Sequence, residues 1–153
     1  MSQITNLLDE LKRIHNGEPW HGPSLRTVLT GVLAKQAAAR PLPTAHSIWE
    51  LVLHIGAWEK VMTDRLEGQA TEEPDEGDFP PVTDTTEEAW ARTLAWLDTT
   101  HEELLNRVAQ MNDADLEQGV VGKDYTTGFM LHGVVNHSAY HAAQISLLKK
   151  AVE

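Results

Sequence analysis

No cysteine occurs among the 153 residues. Disulfides, a cysteine nucleophile, iron–sulfur clusters and thiolate metal sites are therefore excluded, and any metal has to sit on His, Asp or Glu. Cations are scarce: 12 Lys and Arg stand against 23 Asp and Glu, a formal net charge of -11. Such a chain repels phosphate backbones on average, which argues against a nucleic-acid partner. Long apolar runs are missing, so no membrane span is expected. The opening residues lack the basic-then-apolar order of a secretory signal, and a cytoplasmic protein is the default expectation. The rest is ordinary globular composition, 41% hydrophobic and 23% charged, which excludes a wholly disordered or collagen-like chain. The length suits a single domain over residues 1–153 with one real core.

Helical spacing dominates the pattern. Ile4, Leu7, Leu8, Leu11 and Ile14 form an apolar stripe that predicts a helix over 2–16, stopped by Gly17-Glu18-Pro19. One or two short helices are expected between Trp20 and Pro43. Ser47 with Glu50 reads as a capping box opening a very apolar helix over 47–67. Thr85 with Glu88 reads as a second one, opening a helix over 86–110. A fourth helix is expected over 127–151, with Met130, Val134, His137, His141, Ile145 and Leu148 on its buried face. Residues 69–85 make a long connection whose acidic run, Glu72 to Asp78, reads as a solvated loop, with a ligand-facing role as the alternative. Four long amphipathic helices with long connections and a short extra helix describe an all-α four-helix bundle.

The chemistry sits in the histidines. His137 and His141 are i and i+4 on the apolar stripe of the last helix, the spacing at which two imidazoles reach one ion. His54 lies mid-way along the most apolar helix, flanked by Leu53 and Ile55. A polar ring in such a position needs a partner. Three neutral imidazoles would leave an open fourth position, as catalytic metal sites do. The competing reading is three core histidines hydrogen-bonded to carbonyls. His132 is about 140° from His137 around the helix and is expected outside the site. His15 and His101 read as boundary residues. His21, in Trp20-His21-Gly22-Pro23, is a candidate for the substrate side. Tyr140 and Gln144 are candidate lining residues, and the Gln144 amide is placed to hold a His ring or a substrate. Glu50 is expected to be occupied by its cap and Glu59 to face solvent, so neither is given a catalytic role.

The segments His46-Ser-Ile-Trp-Glu-Leu-Val-Leu-His54-Ile-Gly-Ala-Trp58-Glu59 and Asn136-His137-Ser-Ala-Tyr140-His141-Ala-Ala-Gln144-Ile145 resemble the two signature helices of the DinB/YfiT-like superfamily. The resemblance covers essentially the whole chain. It implies a four-helix bundle holding a divalent metal, zinc or nickel, on His54, His137 and His141. Trp58, Tyr140, Gln144 and His21 stand beside it as candidate substrate contacts from their places in the sequence. The resemblance also implies an enzyme of the thiol S-transferase or hydrolase type, in which the metal activates a low-molecular-weight thiol or water for a small-molecule substrate. The alternative is a non-catalytic metal- or small-ligand-binding protein. Family members are commonly dimers, and the apolar residues Trp49, Val52 and Trp58 on different sides of one helix point the same way, to a homodimer.

Overall fold

The computed structural model describes residues 1–153. Its helices are α1 (Gln3–Asn16), α2 (Leu25–Leu29), α3 (Ala34–Ala38), α4 (Ile48–Leu66), α5 (Glu87–Ala109) and α6 (Thr127–Val152), with a 3-10 turn at Asp113–Glu117 and no β-strand. The four long helices form a ring in which α4 packs on α5 and α6, and α1 closes the far side against the same two helices. The two short helices lie across one end of this bundle.

Local chemistry sets the boundaries. Ser47 accepts from the Glu50 amide at 3.2 Å, and the Glu50 carboxylate accepts from the Ser47 amide at 2.8 Å, completing the expected box. At α5 the cap is Thr86, not Thr85: its hydroxyl accepts from the Ala89 amide at 3.2 Å. The Asp84 carboxylate takes the Thr86 amide at 3.0 Å, which turns the chain one residue later than the sequence suggests. The start of α1 is capped from afar, because the Asp113 carboxylate accepts from the amides of Gln3 and Ile4, each at 3.0 Å.

Although α4 and α5 are joined by the long connection, they are the most extensively packed pair. Their approach depends on Gly56. A Cβ there would stand 2.4 Å from the Trp96 ring, far inside van der Waals contact.

The core is divided. One apolar cluster, with Leu25, Trp49, Ile55, Leu97 and Ile145, fills the end covered by α2 and α3. Another, with Leu7, Val61, Leu104, Leu116 and Leu131, fills the opposite end. Between them lies a polar layer contributed by all four long helices: His15, His54, Glu59, His101 and His141 are all buried. Buried polar groups are costly unless paired, so this layer is where function is sought. Trp49 and Val52 are 2% and 0% exposed within the chain itself. They offer no surface for a partner, contrary to the reasoning from α4 alone.

Candidate metal centre

The pairing of α4 with α6 brings His54 against His137 and His141. His54 Nε2 is 2.9 Å from His137 Nε2, and His141 Nε2 is 3.0 Å from the same atom. One ligand nitrogen from each ring lies within 4.8 Å of the others. Three imidazole nitrogens thus face a common point, on the faces that the helical spacing indicated.

The outward nitrogens decide the tautomers. His54 Nδ1 donates to the main-chain carbonyl of Asp78 at 2.7 Å. His141 Nδ1 donates to the Gln144 side-chain oxygen at 2.6 Å. In a neutral ring a protonated Nδ1 leaves Nε2 as a bare lone pair. Two lone pairs therefore point at the third ring, and a single N–H from His137 cannot serve both well. A divalent cation would satisfy all three, and three imidazoles are a donor set that could hold one. Burial, and then the proximity of His141 and His54, pulls His137 down to about 4. Burial also lowers His141. Both rings stay neutral near pH 7, the form that ligates.

The connection between α4 and α5 builds the wall. Phe79 stacks on His54 with centroids 4.1 Å apart and planes 8° apart, and its other face stacks on His46 at 3.6 Å. Trp58 Nε1 donates to the Asp78 carboxylate at 2.7 Å. Arg65 holds the start of the connection by donating to the carbonyls of Thr71 and Glu72 and to the Tyr125 hydroxyl. The acidic run divides accordingly. Glu72 pairs with Lys123 on the surface, whereas Asp78 and Phe79 reach the histidines. Phe79 was not singled out by sequence. The available signal was a lone aromatic, Asp78-Phe79-Pro80-Pro81, inside an acidic stretch.

Other expectations divide as well. Gln144 holds the His141 ring. Trp58 stands edge-on to His54 with centroids 6.4 Å apart, and Tyr140 lies 5.0 Å from His141 with 63% of its surface exposed. His132 is outside the cluster, its side chain 59% exposed. His21 is exposed in the turn before α2 and borders neither of the cavities beside the triad.

Glu59 does not face solvent. It is 2% exposed, and both carboxylate oxygens accept from His101 Nδ1, at 3.1 and 3.2 Å. His101 in turn stacks on His15 with centroids 4.0 Å apart and planes 6° apart. His15 Nε2 donates to Asp98 at 2.8 Å. Neither imidazole is a boundary residue. The inward-turned faces of α1, α4 and α5 meet at this level, and burial is the main reason that His15 is harder to protonate than a free imidazole.

The family model described as the DinB superfamily matches residues 20–145. The chain belongs to the DinB superfamily. The match spans α2 to most of α6 and includes all three clustered histidines. Comparison with the curated proteins and with the solved structures finds no match. This DinB-superfamily chain has a three-His group able to hold a metal ion, and no helix long and apolar enough to cross a membrane.

Proposed function

We infer that this DinB-superfamily protein is a divalent-metal-dependent enzyme in which His54, His137 and His141 hold zinc or nickel and a low-molecular-weight thiol or a water is activated beside them. The observation that carries this reading is the arrangement of tautomers. Asp78 and Gln144 take the Nδ1 protons, so the Nε2 lone pairs of His54 and His141 both face His137 Nε2, which has at most one proton to share between them. A bound divalent ion supplies Lewis acidity, lowering the pKa of a thiol or water at its open position. The chain's residues do the rest. Gln144 and the Asp78 carbonyl fix the rings, Phe79 shields His54, and Trp58 and Tyr140 offer aromatic contact to a small substrate. The thiol has to come from a cosubstrate because the chain has none. A reducing cytoplasm, where such thiols persist, is the fitting compartment.

A homodimer fits the same reading. The exposed large apolar residues Phe129, Tyr140 and Leu147 all lie on α6. They space at roughly helical repeats along one side, as an interhelical contact requires.

The test is elemental analysis of tag-free protein. Wild type is expected to carry about one ion per chain. His54→Ala, His137→Ala and His141→Ala are each expected to lose it, while His132→Ala retains it. Equal metal content in all five proteins would leave only hydrogen-bonded core histidines.

A further inference from the structure

A cavity of about 240 Å³ lies beside His137. Trp58, Tyr125 and Phe129 give it three aromatic walls, Met62 and Met130 add thioethers, and Glu59 is its one carboxylate. No Lys or Arg lines it. An aromatic face carries negative electrostatic potential, as a carboxylate does. An enclosure that combines the two attracts a cation and repels an anion. The larger cavity beside His141, about 460 Å³, has no charged side chain in its lining.

The aromatic walls are fixed from behind. Trp58 Nε1 donates to the Asp78 carboxylate at 2.7 Å, and the Arg65 guanidinium lies 5.8 Å from the Trp58 ring centroid. Arg65 also donates to the Tyr125 hydroxyl at 3.0 Å. The Tyr125 ring stands 5.5 Å from that of Phe129, with planes 40° apart. Arg65 does not itself line the cavity, so it anchors two walls without supplying the charge that the enclosure favours. Walls held in this way need little ordering when a ligand enters.

Glu59 is short of donors. A carboxylate offers about four acceptor sites, yet its two oxygens share a single N–H, that of His101 Nδ1. No other protein group donates to it. Its side chain is 3% exposed, so bulk water does not make up the difference. A buried carboxylate in this position favours a second positive partner.

We propose that this cavity binds a small organic ammonium ion, a nitrogen carrying methyl or methylene groups, seated among Trp58, Tyr125 and Phe129 with Glu59 as its counter-ion. The volume falls below that of sites for drug-sized ligands, which limits the guest to a few heavy atoms. The net charge of -11 draws cations toward the chain as a whole. His101 is a positioning residue that holds the carboxylate. The site goes beyond the metal-centre reading and does not require the ion. Its bearing on catalysis rests on that reading: a substrate anchored here by its ammonium group lies beside His137.

The test compares choline with its neutral carbon isostere, 3,3-dimethyl-1-butanol. Each is titrated into full-length protein freed of metal by chelation, and amide and indole N–H shifts are followed by NMR. Wild type is expected to bind choline at least about tenfold more tightly than the alcohol. Glu59→Gln, which keeps an oxygen for His101, is expected to abolish that preference. Phe129 is 69% exposed, so Phe129→Leu spares the bundle. It is expected to weaken choline about three- to tenfold and the alcohol by no more than about twofold. Gly133 has open space where a Cβ would go. Gly133→Leu therefore fills the cavity and is expected to weaken choline at least about tenfold. Leu147→Trp, on the rim of the larger cavity, is expected to leave it unchanged. Absence of choline binding, equal affinity for the two ligands, or a preference that survives Glu59→Gln would overturn the proposal. So would loss of choline in Leu147→Trp with retention in Gly133→Leu. Zinc uptake is measured separately, so failure of either reading leaves the other standing.

Discussion

His54 and Phe79 stack almost parallel, with planes 8° apart and centroids 4.1 Å apart, although 25 positions and a helix end separate the rings. The same connection supplies the Asp78 carbonyl that receives His54 Nδ1. The chain after α4 therefore folds back to clamp a residue of α4 itself. His54 is held by a hydrogen bond at one atom and by an aromatic face across the ring, which leaves Nε2 a single direction to point.

Ring-holding contacts of this kind govern metal affinity. Gln144 is the corresponding holder for His141, and its oxygen accepts from Nδ1 at 2.6 Å. Gln144→Leu keeps the helix and the side-chain bulk but removes the acceptor. The His141 ring then loses its fixed tautomer and orientation. Zinc affinity, measured by competition with a chromophoric chelator, is expected to fall about 10- to 100-fold. Phe79→Ala is expected to act in the same direction, whereas Glu76→Ala, in the exposed part of the same connection, leaves affinity unchanged.

The depressed histidines fix a pH dependence. His137 is lowered to about 4, with burial as the leading cause, and His141 and His15 are also lowered, burial again leading. In the unfolded chain these rings titrate near about 6.5. Between that value and the folded one, the unfolded state binds more protons, so stability falls as pH falls. Above about 7 both states are neutral at these sites and the contribution is flat. Urea midpoints of metal-free protein are expected to decline steadily from pH 7 to pH 4.5. His137→Leu, which removes the ring lowered to about 4, is expected to shallow that decline. Metal-loaded protein is expected to release its ion over the same window, because protons compete for the Nε2 atoms.

The helices and the triad were legible because they rest on repeating patterns. His137, His141, Ile145 and Leu148 share a helical face whatever packs against it, and Ser47 with Glu50 closes a box within four residues. Parts of the site that depend on distant pieces of chain left weaker marks. Glu59 follows Trp58 and precedes Lys60, which reads as the start of a polar face. Its burial becomes apparent only when α5 delivers His101, 42 positions later. His15 and His101 each looked like edge residues of separate stripes, and nothing local says that two imidazoles will stack. Phe79 sits in a stretch with no period at all, so no face could be assigned to it. The second cap was misplaced by one residue because Asp84, not Thr85, sets the turn.

The Glu59–His101 pair predicts an asymmetry between its two partners. The side chains are 3% and 4% exposed. Removing the imidazole with His101→Leu strands a carboxylate in the polar layer with no alternative donor, a change that costs about 3–5 kcal/mol. Removing the acid with Glu59→Leu leaves one ring N–H without its acceptor, a change nearer the ~1–3 kcal/mol of one unsatisfied polar group. Urea unfolding at pH 7 is expected to rank His101→Leu as the less stable variant by at least about 1 kcal/mol. The opposite ranking would mean that the carboxylate finds another donor once the imidazole is gone.

Two glycines in long helices are expected to respond with opposite sign to the same substitution. Alanine in place of a mid-helix glycine gains about 1 kcal/mol from helix propensity. At Gly133 nothing lies within 4 Å of the new Cβ, so Gly133→Ala should realise most of that gain. At Gly56 the Cβ would fall 2.4 and 2.7 Å from two carbons of the Trp96 ring. The clash has to be relieved by moving a half-buried indole or by separating α4 from α5, and overpacking of this kind costs about 1–3 kcal/mol. It therefore cancels or exceeds the propensity gain. Thermal or urea unfolding is expected to place Gly133→Ala above wild type and Gly56→Ala at or below it. Because α4 carries His54, separating it from α5 also shifts that ring relative to α6, so Gly56→Ala is expected to weaken zinc binding while Gly133→Ala leaves it intact.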